Sequence, residues 1–140
     1  MSTLITRDYA VSSKRSWSPS GTYYVSIIGS LESNPARDDA AMKMVQAGKF
    51  SNLRVRVDSS GTLGQTSSVT LLKRDATSAN WQATDLTVSW VGAGNNNHKT
   101  FENTDDEVEF SAGDLFCWEI VAQATGLFSL RHVLVRVQDQ

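Results

Sequence analysis

Residues able to do chemistry are few in this chain and far apart. Cys117 is its single cysteine, His98 and His132 are its only histidines, and acids crowd between Glu102 and Glu119. A thiol nucleophile needs a neighbouring base or cation to hold it as thiolate. Cys117 instead sits in Leu115-Phe116-Cys117-Trp118, a setting that predicts a small buried thiol. A lone cysteine leaves no internal disulfide, which fits folding in a reducing cytoplasm. His98 lies in an Asn-rich loop and His132 follows Arg131 in a strand-like run, neither with a companion at metal-ligand spacing. The sequence contains neither a Gly-x-Ser-x-Gly elbow nor a Gly-rich phosphate loop leading into a helix. The expectation is a protein that is not an enzyme, with no cofactor and no catalytic residue.

Glu102, Asp105, Asp106, Glu107, Glu109, Asp114 and Glu119 place seven of the fifteen acids within eighteen residues, with no Lys or Arg among them. Asp105, Asp106 and Glu107 have the oxygen chemistry for Ca²⁺, but the spacing is not that of an EF-hand loop. A solvated face, or an edge that meets a basic partner, is the better reading, so no metal is expected. Aromatic faces stack on sugar rings, which makes the four tryptophans worth placing. Trp90 and Trp118 fall in phase with core positions, whereas Trp17 and Trp81 lie in non-periodic segments and are candidates for an interface or a ligand.

The elements that position these residues read as strands. Leu53-Arg54-Val55-Arg56-Val57 alternates apolar and charged residues, and Val133-Leu134-Val135-Arg136-Val137 nearly repeats it. Period two puts one face of a strand in a core and the other in water. Further runs of this kind cover residues 23–28, 41–46, 67–73, 86–90, 108–110 and 115–122, separated by polar turns such as Ser59-Ser60-Gly61-Thr62 and Gly92 to Asn97. About eight strands in 140 residues predict one all-β domain, a two-sheet antiparallel sandwich of the jelly-roll kind. A net charge of −2 gives no reason to expect nucleic acid. Charged residues interrupt every apolar stretch near the start, so neither a signal peptide nor a membrane span is expected.

Residues 1–22 are serine-rich and lack a sustained period. They read as an extended N-terminal arm, separate from a domain over residues 23–140 and held against that domain or a partner by Leu4, Ile5, Tyr9 and Trp17. The run Leu115 to Ala122 is apolar on both faces: Phe116, Trp118, Ile120 and Ala122 point to the core. Leu115, Cys117 and Val121 on the other side call for cover by the arm or loops, or for burial in a subunit interface. The oligomer interface is the preferred reading.

Four stretches carry a family likeness. They are Ala47-Gly48-Lys49-Phe50-Ser51-Asn52-Leu53-Arg54-Val55-Arg56-Val57, then Ser68-Val69-Thr70-Leu71-Leu72-Lys73-Arg74, then Leu86-Thr87-Val88-Ser89, then Val108-Glu109-Phe110-Ser111-Ala112-Gly113-Asp114-Leu115. In this order they resemble jelly-roll virion proteins of tailed bacteriophages. Lys73-Arg74-Asp75-Ala76 departs from the Lys-Asn-Gly turn of many members. The resemblance implies a capsid decoration protein, made in the host cytoplasm and residing on the virion. It would bind the major capsid protein at junctions between coat subunits, as a homotrimer, through the arm. The alternative it implies is a receptor-binding module of a tail fibre or tip, reading a cell-surface glycan or protein through the loops at Asp75 to Trp81 and Gly92 to Lys99. A genome-packaging coat is disfavoured, since Arg7, Lys14 and Arg15 against Asp8 neutralise few phosphates.

Overall fold

The alternating runs become strands in the computed structural model, which describes residues 6–17, 20–30, 36–93, 98–123 and 128–139. In chain order the elements are β1 (Thr6–Trp17), β2 (Gly21–Val25), β3 (Gly29–Ser30), α1 (Arg37–Ala40), β4 (Met42–Lys43) and β5 (Gly48–Ser60). Then follow β6 (Thr66–Arg74), β7 (Gln82–Val91), β8 (Lys99–Asn103), β9 (Val108–Phe110), β10 (Leu115–Ala122) and β11 (Phe128–Asp139). A six-stranded sheet runs β3-β1-β11-β5-β8 with β9 also on β5, and a five-stranded sheet runs β2-β10-β6-β7 with β4 also on β10. All pairs are antiparallel except the short β1–β3 contact. Together the sheets make the all-β sandwich that the periodicity predicts.

The core lies between the sheets. Phe50 of β5 sits 4.8 Å from Phe110 and 4.7 Å from Phe116, ring centre to ring centre, bridging both sheets near one end. Near the other end Trp90 stacks on Phe101 at 4.8 Å and lies 6.0 Å from Phe128. Its indole N–H donates to the Ser60 carbonyl at 2.8 Å, so a large polar-tipped ring is buried with its donor satisfied. Trp90 and Trp118 are both core residues, as their phase predicts.

The family-like motifs prove to be turn and packing devices. Asn52 has φ +52° beside the irregular pairing of β5 with β11, a left-handed conformation that asparagine tolerates. At Gly48 an added Cβ would lie 2.5 Å from the Gln138 carbonyl oxygen and 2.8 Å from the Phe110 ring, so only hydrogen fits. In the Ala112-Gly113-Asp114 turn, Gly113 has φ +94°. The buried Asp114 carboxylate accepts the backbone N–H groups of Ser111 at 2.8 Å and Ala76 at 3.1 Å. That one side chain ties the β9–β10 turn to the β6–β7 loop.

The N-terminal arm needs correction. Thr6–Trp17 is not an arm laid on a finished domain but β1, paired along its length with β11 from Thr6↔Gln138 to Trp17↔Phe128. The register shifts between Ser12 and Arg15, which breaks the alternation that would have announced a strand. Val11 is fully buried. Tyr9, expected to grip a partner, packs on this chain's own core with its ring edge-on to Phe50 at 6.3 Å. Trp17 contributes backbone pairing, and its side chain lies outside what is described, as do Leu4 and Ile5 altogether.

Each of the eight expected strands has a counterpart among the described residues. That over 108–110 forms with its expected bounds as β9, and that over 41–46 shrinks to the two-residue β4, while β1, β3 and β8 are additional. β8 was hidden because Phe101 is its one large apolar residue. Deleting residues 1–17 removes Val11 and Tyr9 from the core and bares β11 as an edge. The truncated protein is therefore expected to lose at least about 2 kcal/mol of stability, read as a lowered urea midpoint. A folded truncation with an unchanged midpoint would show β1 to be dispensable.

Candidate functional site

β10 is covered by this chain on its inner face and, on its outer face, at Cys117. Its even residues enter the main core, while Cys117 on the odd side joins Ala40 and Leu72 in a second buried cluster, against which Tyr24 and Trp81 pack. The cover is local: α1 supplies Ala40, β2 supplies Tyr24, and the β6–β7 loop supplies Trp81. Ser26 Oγ donates to the Ala40 carbonyl at 3.2 Å and pins the end of the short helix. Leu115, Cys117 and Val121 were expected to meet a sister subunit, and for Cys117 this is overturned. It has no exposed surface, while Leu115 and Val121 are half-buried.

Above this floor opens a cleft of about 320 Å³ lined by Tyr24, Ala36, Arg37, Asp38 and Trp81. Asp38 organises it. Its Oδ1 accepts the Trp81 indole N–H at 2.9 Å and Arg74 Nη1 at 3.0 Å. Arg74 in turn donates through Nε to the Ser78 carbonyl at 2.9 Å, fixing the loop that carries Trp81. The Arg37 guanidinium stands over the Tyr24 ring, 5.4 Å from its centre. Of the two tryptophans that sequence singled out, Trp81 is therefore part of a shaped concavity. Tyr24, Arg37 and Asp38 were missed, because the segments that carry them adjoin only in the fold.

Burial raises the Cys117 thiol to about 12, with Arg37 pulling down and Glu119 and Asp38 pushing up. At neutral pH it is a thiol, inert as a nucleophile. His132, on the outer face of the six-stranded sheet, is held below the usual imidazole value near 6.5 by burial first and then by Arg56 and Arg131, against a weaker pull from Asp58. His98 faces Asp58 at 3.3 Å, and Arg131 reaches the other oxygen of that carboxylate at 3.6 Å.

The acidic segment is spread out and largely satisfied within the chain. Glu102 pairs with Arg54 at 3.4 Å, Glu107 with Lys49 at 3.0 Å, and Asp114 serves its turn. Asn103 Oδ1 accepts the backbone N–H groups of Asp105 and Asp106, and its Nδ2 reaches the Thr87 carbonyl at 2.9 Å and Asp106 at 3.0 Å. The groove between β7 and β8 is thus bridged by the chain's own bonds. Among the described residues no three His, Cys, Asp or Glu side chains come together as a ligand set.

No protein-family model and no curated protein matches this sequence. Among solved structures, the chain is similar to the Eiger TNF from S. frugiperda, with 11% identity, a TM-score of 0.53, and 94% of this chain and 93% of that one covered. At this identity the likeness establishes a jelly-roll β-sandwich.

Two outcomes follow from the cover over β10 and from the burial and neighbouring cations that depress His132. Native protein should react with an aromatic disulfide reagent only as fast as it opens, and Trp81→Ala, which thins the lid, should speed labelling of Cys117. Equal rates in the two proteins would show that Trp81 does not shield it. The unfolded chain binds a proton at His132 more readily than the folded one. Stability is therefore expected to fall as pH drops through about 6.5 towards the lower folded value, with no such loss above. His132→Gln should flatten that part of a urea-midpoint profile, and an unaltered slope would remove His132 as its source.

Proposed function

We propose that this chain is a non-enzymatic structural module of a tailed-phage virion, working as the receptor-binding part of a tail fibre or tip. The reading from a virion protein rests on the motif likeness. The choice of recognition over decoration rests on one observation: Trp81 is locked by Asp38 into an open cleft on a rigid sandwich. Loops on a rigid scaffold are where recognition residues concentrate. The two proposed recognition loops divide this work, because β7 separates them. Asp75 to Trp81 precede it and Gly92 follows it, and ten residues of strand put Trp81 and Gly92 roughly 30 Å apart. The cleft lies at the Trp81 end.

Capsid decoration is the second reading, and the opposite end of the sandwich favours it. Leu63 and Val91 are 75% and 62% exposed there, one in the β5–β6 loop and the other at the end of β7, beside the bonds between Gly64 and Gly92 and between Gly92 and Gln65. Such an apolar pair suits attachment to another virion protein, whether the major capsid protein, a tail component or a sister subunit of a homotrimer. Labelled full-length protein should adsorb saturably to host cells and compete with intact phage. Saturable binding to capsids that lack this protein, with no adsorption to cells, would overturn recognition in favour of decoration.

A further inference from the structure

We propose that the cleft between Tyr24 and Trp81 is a binding site for an uncharged saccharide, one ring stacking on Trp81 while Arg37 and Asp38 hold its hydroxyls. This rests on the recognition reading above and names its ligand class. A pyranose has a face of C–H groups, which suits the negative face of an aromatic ring, and a rim of hydroxyls that each donate and accept. The cleft offers both kinds of surface side by side. Trp81 supplies the aromatic wall, and its orientation is set before any ligand arrives by the 2.9 Å bond to Asp38, so little ordering cost falls on binding.

The polar groups favour the same ligand. Asp38 receives both of its bonds on Oδ1, and among the described residues Oδ2 is left to accept a hydroxyl. Arg37 has the Tyr24 ring as its contact among the described residues, which leaves its N–H groups to donate. Arg37 and Arg74 stand against Asp38 and, on the strand below, Glu119, so the neighbourhood carries no excess of positive charge. A phosphate or carboxylate gains little from such a balance. A quaternary ammonium would meet the Arg37 guanidinium already placed over the Tyr24 ring at 5.4 Å. At about 320 Å³ the space falls at the small end of ligand sites, enough for one or two sugar rings. The closed floor of Ala40, Leu72 and Cys117 gives no deep apolar slot for a peptide anchor.

The test titrates the full-length protein with glucose, galactose, rhamnose, N-acetylglucosamine and oligosaccharides cleaved from the host surface polysaccharide. Binding is read by saturation-transfer NMR and tryptophan fluorescence. At least one saccharide should bind saturably. Trp81→Ala should weaken it by about tenfold or more, and Trp81→Phe, which keeps a ring face, should lose less. Arg37→Met should weaken it too, while Val91→Ser at the far end of β7 should leave it unchanged. Thermal melts of each variant separate lost binding from lost folding. Binding equally tight in folded Trp81→Ala would overturn the site. Adsorption to cells that survives removal of their surface polysaccharide, with no saccharide bound, would overturn the ligand class and leave recognition standing. Absence of adsorption as well would remove the recognition reading itself.

Discussion

A strand that is apolar on both faces has to be covered twice, and β10 is such a strand. The sandwich core takes Phe116, Trp118, Ile120 and Ala122 in the ordinary way. The outer side carries Cys117, which burial of the neighbouring Leu72 and Ala40 turns into a second, smaller core. Each apolar side chain moved out of water there adds roughly 1–3 kcal/mol, enough to hold a four-residue helix that has no stability of its own. The helix, Tyr24 and Trp81 are present over β10 because that face requires a lid. The cleft is the upper surface of the lid.

This order of causes explains why the polar groups of the cleft are so tightly bonded to one another. Asp38 is carried on the lid helix, and its carboxylate reaches both the indole N–H of Trp81 and the guanidinium of Arg74. Arg74 sits at the end of β6 and holds the loop through Ser78. Asp114, from the turn that opens β10, holds the start of that same loop through the Ala76 N–H. The β6–β7 loop is thereby gripped at its start, near its middle and at its last residue, and the wide aromatic side chain at that end is held still. Exposed ion pairs of this kind contribute little to global stability. Their effect is positional.

The six-stranded sheet shows the opposite economy. Its outer face carries Arg54, Arg56, Arg131 and Arg136, matched in part by Glu102, Asp58 and Asp8 across neighbouring strands. Burial first, and the neighbouring cations Arg56 and Arg131 second, depress His132 there. On this face Arg54, Arg131 and Arg136 are exposed and paired across strands, and among the described residues no helix packs over them. The two outer faces of the sandwich therefore differ in kind, one charged and open, the other carrying a lid with an aromatic cleft.

Much of the fold was legible in the residues. The alternation in β5, β6, β7, β10 and β11 set the fold class, and the phase of Trp90 and Trp118 placed both in the core. Side-chain periodicity reports which face of a strand meets water, and that depends only on neighbours one and two residues away. It could not report β1, where a register shift and a run of serines erase the period, because that strand is defined by backbone bonds to β11 more than a hundred residues later. Nor could it say what covers Cys117, where a subunit was expected and the chain's own helix is found. The sequence by itself determined the all-β class, the buried inert thiol and the unusual standing of Trp81. Only the tertiary structure decided that the N-terminus is a strand, and that Tyr24, Arg37, Asp38 and Trp81 share one concavity. Contacts between distant segments depend on how strands pair and which face a helix covers, and local spacing carries no record of either.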